Sequence, residues 1–105
     1  TWVATVDAFQ HWLYTDEAGA DRDARDAKWT EVFSRFHVGQ DWTGAEAERT
    51  ARWGRQLHIF LYPFYYIEYG LARLGSLQVW RNAREDQAGA VAAYRRALAL
   101  GGTRS

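Results

Sequence analysis

At 105 residues the chain is long enough for one domain with one core, and folding would bury roughly two-thirds of its unfolded surface. Thirteen basic and thirteen acidic residues cancel, which excludes the strongly positive surface that nucleic acid or an anionic membrane requires. The absence of cysteine excludes disulfide scaffolds, thiolate zinc sites and cysteine nucleophiles together. Aromatic side chains are in excess: six Trp, six Tyr and five Phe. So many rings either make a very aromatic core or line a cleft or a partner surface. No run of 18 apolar residues and no charged start before an apolar stretch is present, so neither a membrane span nor a signal peptide is expected, and the expected location is cytoplasmic. Opening on Thr1 and ending on Gly101-Gly102-Thr103-Arg104-Ser105, the sequence reads as a piece of something longer.

Helical periodicity dominates. Trp2, Val6, Phe9 and Leu13 fall three or four apart, widened by Val3 and Trp12, and predict an amphipathic helix ending near Thr15. Asp16 to Gly19 is a polar break. A second helix is expected from about Asp21 to Val38, with Trp29, Val32, Phe33 and Phe36 on one face and Asp21, Asp23 and Asp26 at the positive end of its dipole. Gly39-Gln40-Asp41 interrupts it. Thr43-Gly44-Ala45-Glu46 has the spacing of a capping box and predicts a third helix through Arg49, Trp53, Leu57 and Phe60. Pro63 stops or kinks that helix and suits the first position of the next. The next helix, Pro63 to about Ala83 through Phe64, Ile67, Leu71, Leu74 and Leu77, is apolar enough to be surrounded by the others. A last helix starts near Asp86, carries Val91, Tyr94, Leu98 and Leu100, and is capped by Gly101. The expected fold is all-α, a bundle of about five helices with the Pro63–Ala83 helix central.

Tyr62-Pro63-Phe64-Tyr65-Tyr66-Ile67-Glu68-Tyr69 is the densest aromatic run. Helical spacing puts Tyr62, Tyr66 and Tyr69 on one face and Tyr65 on another. Two readings are open. The hydroxyls reach backbone carbonyls and Glu68 within a packed core, or they face a wet cleft where a phenol can donate to a developing oxyanion. His58, eight residues before Tyr66 and eleven before Tyr69, is either a satisfied core histidine or a member of the same pocket. His11 and His37 read as surface or packing residues.

Other chemistry is poorly represented. No His-Glu-x-x-His pattern occurs, and Asp7 with His11 at i, i+4 is too little for a metal site, so no metal bound by this chain is expected. Ser34, Ser76 and Ser105 lack a nucleophile elbow, and no glycine-rich phosphate loop is present. The Arg/Asp alternation from Asp21 to Lys28 reads as a solvated helix face.

The blocks His58-Ile59-Phe60, Pro63-Phe64-Tyr65-Tyr66-Ile67-Glu68-Tyr69-Gly70 and Leu74-Gly75-Ser76-Leu77-Gln78-Val79-Trp80 resemble the C-terminal region of oligoendopeptidase F-type metallopeptidases, relatives of thimet oligopeptidase. Phe9 to Tyr14 is similar to the helix after that family's zinc-site region, and Ala92 to Gly101 to its penultimate helix. The resemblance implies a fragment of a larger helical zinc-peptidase catalytic domain that cleaves peptides rather than folded proteins. It implies zinc bound by a His-Glu-x-x-His helix and a further Glu, all upstream of the matched part, and none bound by this chain. His58, Tyr66 and Tyr69 would then bind the substrate or stabilise the tetrahedral intermediate, with Tyr65 and Tyr62 binding substrate. The implied partners are a peptide substrate and the remainder of the peptidase chain. Carrying the stabilising half of a site without the hydrolytic half, the chain alone is expected to be inactive.

A non-enzymatic helical interaction module is the alternative, because Ala90-x3-Tyr94-x2-Ala97 resembles the second helix of a tetratricopeptide unit. The register fits poorly: Leu74-Gly75 precedes Ala90 by 15–16 residues rather than about a dozen, and no second copy follows at the repeat period. Apolar helix faces separated from a larger protein also lead to an expectation of self-association.

Overall fold

A computed structural model describes residues 1–102, and among these the fold is all-α, with six α-helices, two short 3-10 segments and no strand. The chain forms two compact units, one covering Thr1–Gly70 and the other beginning at Leu71.

The first unit holds the core. Helix α1 (Trp2–Thr15) follows the predicted stripe, and its Val6 and Phe9 are fully buried. A 3-10 turn (Glu17–Ala20) is capped by Asp16, whose carboxylate accepts from the Ala18 N–H at 2.9 Å. Helix α2 (Arg22–Phe36) starts in the same way: Asp21 Oδ1 accepts from the Ala24 N–H at 2.7 Å. It ends two residues short of the expected Val38, which is exposed. Between α1 and α2, Gly19 lies so close to the Leu13 carbonyl that a side chain would collide with it. Trp29, Val32 and Phe33 of α2 meet Val6, Phe9 and Ile59 in one cluster. Rings meet edge to face there, Phe9 with Trp29 at 5.2 Å and 83°, and Trp2 with Trp29 at 5.7 Å and 77°.

The expected third helix is broken into α3 (Glu46–Ala51), a 3-10 turn (Arg52–Arg55) and α4 (His58–Leu61). Gly54 lowers helix propensity at the break. Indole N–H groups anchor the pieces to α2: Trp29 Nε1 donates to the Arg49 carbonyl at 2.9 Å, and Trp53 Nε1 donates to Asp26 Oδ1 at 2.9 Å. The capping box is also displaced. Thr43 turns back, its N–H and hydroxyl donating to Asp41 Oδ1 at 2.9 and 2.7 Å, and Ala45 takes the N-cap position. The Glu46 carboxylate accepts from the Gly44 N–H at 3.1 Å.

Pro63 does not open a helix. It lies in a turn, and α5 (Ile67–Glu85) begins four residues later. The burial expected of a surrounded helix is not seen in α5, none of whose described residues is buried. A surrounded helix would need neighbours on all sides.

The second unit contains α5 from Leu71 onward and α6 (Gln87–Leu100), separated by Asp86. Asp86 Oδ1 accepts from the Gly89 N–H at 2.9 Å, and Gly101, at φ 54°, ends the helix as expected. Val79, Ala83 and Ala90 are half-buried, whereas Leu71, Leu74, Leu77, Trp80, Val91, Tyr94 and Leu98 are exposed.

Candidate functional site

The joint between α4 and α5 builds a cleft. Helix α4 is one turn long and is fixed by the core: Ile59 is fully buried, and its carbonyl accepts from the Tyr14 hydroxyl at 2.7 Å. The chain then reverses, with the Tyr65 N–H donating to the Tyr62 carbonyl at 3.2 Å and Phe64 at φ 63°. Proline second and positive φ third is the pattern of a type II turn, whose third position normally takes glycine. A phenylalanine there stores of order 1–3 kcal/mol of backbone strain. Its ring packs 4.9 Å from His11 and 5.7 Å from Tyr14, contacts that hold the turn against α1.

The turn brings His58, Tyr62, Tyr65 and Tyr69 around one open cleft of about 350 Å³. The helical expectation separated Tyr65 from Tyr62 and Tyr69. Since residues 62–65 are not helical, Tyr65 joins them on the cleft wall. Tyr66 instead packs half-buried against the core. Its ring lies behind the cleft, 4.9 Å from His58 and 5.1 Å from Tyr69. His58 also meets Tyr69 edge to face at 5.5 Å and 88° and lies 6.3 Å from Tyr62, while Tyr65 and Tyr69 are 5.8 Å apart.

Hydrogen bonding separates the two readings of the tyrosine run. No phenol of the run reaches a backbone carbonyl or Glu68; Tyr69 Oη meets His58 Nε2 at 3.3 Å, and the hydroxyls of Tyr62, Tyr65 and Tyr66 have no partner among the described residues. Tyr62 and Tyr65 are 62% and 51% exposed, so water or a ligand can reach them.

On its other edge His58 Nδ1 lies 2.8 Å from Gln56 Nε2, and Gln56 Oε1 accepts from Trp2 Nε1–H at 3.2 Å. Gln56 and Trp2 therefore support the site, although periodicity marks Trp2 only as a member of the α1 stripe and does not point to Gln56. Gln56 stands at the end of the unexpected 3-10 turn, and Trp2 is 54 residues away in sequence. The sequence signal for the break that places Gln56 is Gly54, two residues before it.

Both ring nitrogens of His58 are occupied by side-chain partners, which suits a hydrogen-bonding group better than a metal ligand. Among the described residues no group of three or more His, Asp or Glu side chains is placed to hold a metal. Asp7 and His11 lie 3.7 Å apart on the exposed side of α1. His37 packs: its ring stacks on Phe33 at 4.2 Å, and burial, the N-terminal ammonium and Arg52 hold its pKa below the ordinary 6.5. Ser34 and Ser76 donate to the Thr30 and Arg73 carbonyls at 2.8 Å, and Ser105 lies outside the described residues.

No protein-family model matches the chain, and neither the curated proteins nor the solved structures give a match.

Proposed function

We propose that this chain supplies the substrate-facing part of a zinc-dependent oligopeptidase active site, in a cytoplasmic enzyme that hydrolyses peptides. One observation carries the reading: an imidazole and three phenols converge on one cleft, and no carbonyl or carboxylate of the described protein occupies those hydroxyls. The resemblance of His58-Ile59-Phe60 and of Pro63 to Gly70 to oligoendopeptidase F-type enzymes supports it. Zinc, held by residues upstream of this chain, supplies Lewis-acid activation of water and of the peptide carbonyl.

Tyr69 is the donor that the oxyanion of peptide hydrolysis needs besides the metal, and His58 backs it through the contact of its Nε2 with the phenol oxygen. Tyr62 and Tyr65, the most exposed rings of the cleft, hold the peptide through their ring faces and hydroxyls. Tyr66 acts from behind, its ring setting the positions of the His58 and Tyr69 rings. The remainder of the peptidase is the partner that completes the site, and without it the exposed leucines of α5 drive self-association.

The test has two arms. The 105-residue chain, purified alone, should show no zinc-dependent peptide hydrolysis. The same chain joined to the sequence that precedes it, with a His-Glu-x-x-His motif within about 100 residues before Thr1, should show it. Hydrolysis by the short chain, or an upstream sequence without the motif, contradicts the proposal.

A further inference from the structure

The hydrogen bonds behind the cleft run in one direction, and that direction decides what Tyr69 can do. The indole Nε1 of Trp2 is a donor only. Its 3.2 Å contact therefore identifies the Gln56 atom it meets as the amide oxygen, which leaves the Gln56 NH2 facing His58 Nδ1 at 2.8 Å. An NH2 group donates only, so Nδ1 must accept, and the neutral imidazole must carry its proton on Nε2. From Nε2 that proton points to Tyr69 Oη at 3.3 Å. The phenol oxygen then serves as acceptor on its inner side, and its own proton, with no acceptor among the described residues, is available to a ligand in the cleft.

We infer that Gln56, anchored by Trp2, is a positioning residue that fixes His58 in its Nε2–H tautomer and so makes Tyr69 an outward hydrogen-bond donor. With the opposite tautomer the unprotonated Nε2 would accept from the Tyr69 hydroxyl and turn its proton away from the cleft. The rest of the surroundings agrees with this arrangement. The ring contacts of His58 are to Tyr62, Tyr66 and Tyr69, with no carboxylate or guanidinium bonded to either nitrogen that could impose another state. The backbone agrees as well: the 3-10 turn ends at Gln56 with φ −87° and ψ 85°, a non-helical conformation, just before α4 begins at His58. A continuous helix through this segment would have placed residues 56 and 58 on different faces.

The hydrogen-bond logic stands on these contacts alone; its catalytic consequence rests on the peptidase reading. Imidazole 15N NMR on the 105-residue chain tests the first without reference to the second. In the unaltered chain His58 Nε2 should resonate as a protonated, pyrrole-type nitrogen and Nδ1 as an unprotonated, pyridine-type one. Gln56→Glu keeps the shape and replaces the NH2 by a carboxylate oxygen, so Nδ1 should become protonated. Trp2→Phe releases the Gln56 amide, and the two nitrogens should move toward averaged shifts while His11 stays unchanged. A protonated Nδ1 in the unaltered chain overturns the inference. So does a Gln56→Glu spectrum in which Nδ1 remains unprotonated. If Gln56→Glu does not fold, the unaltered chain and Trp2→Phe decide between the outcomes. In a longer, active peptidase Gln56→Leu should lower kcat about 10–100-fold, the size of loss that follows removal of the partner orienting a metal-bound imidazole. An inactive longer chain with the expected 15N pattern would reject the peptidase and keep the relay.

Discussion

Residues 1–70 and the residues from Leu71 onward have similar helical patterning but use their apolar side chains differently. In the first unit Phe9, Trp29 and Ile59 are fully enclosed. In the second, α6 and the rest of α5 place leucines at comparable spacing and bury none of them among the described residues. An apolar stripe at helical spacing therefore specifies a helix and a face, but not a neighbour for that face. The first unit supplies its own partner through α1, α2 and the indole-anchored α3–α4 segment. In the second the half-buried residues are small or medium-sized, Val79, Ala83 and Ala90, while the large apolar ones are exposed.

The contrast is sharpest when large side chains are removed. Trp29→Ala should cost about 3–5 kcal/mol in denaturant unfolding, whereas Leu74→Ala, measured at dilutions where the chain is monomeric, should stay within about 0.5 kcal/mol. A loss above about 2 kcal/mol at Leu74 would show that its face is covered and remove the distinction. Gly19→Ala comes next. Its new methyl group meets the Leu13 carbonyl, backbone that has no rotamer to move, and should cost about 1–3 kcal/mol.

Gln10 is fully buried in the first unit, and neither polar atom of its amide has a hydrogen-bond partner among the described residues. Gln10→Met keeps the length without the desolvated amide and should raise unfolding stability by about 1 kcal/mol. The smallest effect is on pH dependence. Because the folded-state pKa of His37 lies below 6.5, the unfolded chain takes up the proton more readily. The His37 contribution is present above that value and lost as pH falls through it. Thermal unfolding followed from about pH 7.5 to about pH 5.5 should therefore show a shallower loss in His37→Phe than in the unaltered chain.

These particulars also mark what the sequence could convey. α1, α2 and α6 were legible to within a residue or two because periodicity and caps are local: Asp21, Asp86 and Gly101 perform the roles their types suggest. The break at Arg52–Arg55 was not, since it depends on tertiary bonds to α2: Trp53 donates to Asp26, and Trp29 donates to the Arg49 carbonyl just before the break. Pro63 was recognised as a stop, but the positive φ of Phe64 depends on packing against His11 and Tyr14. That turn is why Tyr65 belongs to the cleft wall and Tyr66 to its backing. The residue types of the site were visible in the sequence, whereas their inward and outward orientations and the Trp2–Gln56 support depend on tertiary contacts.

The central claim is that the His58–tyrosine cleft stabilises the oxyanion of peptide hydrolysis. Its most direct test is Tyr69→Phe in the peptidase chain extended upstream, with kcat and zinc affinity measured together. The account predicts a kcat about 10²–10³-fold lower with zinc affinity unchanged. A kcat within about twofold of the unaltered enzyme, far below the loss expected for such a donor, would contradict it.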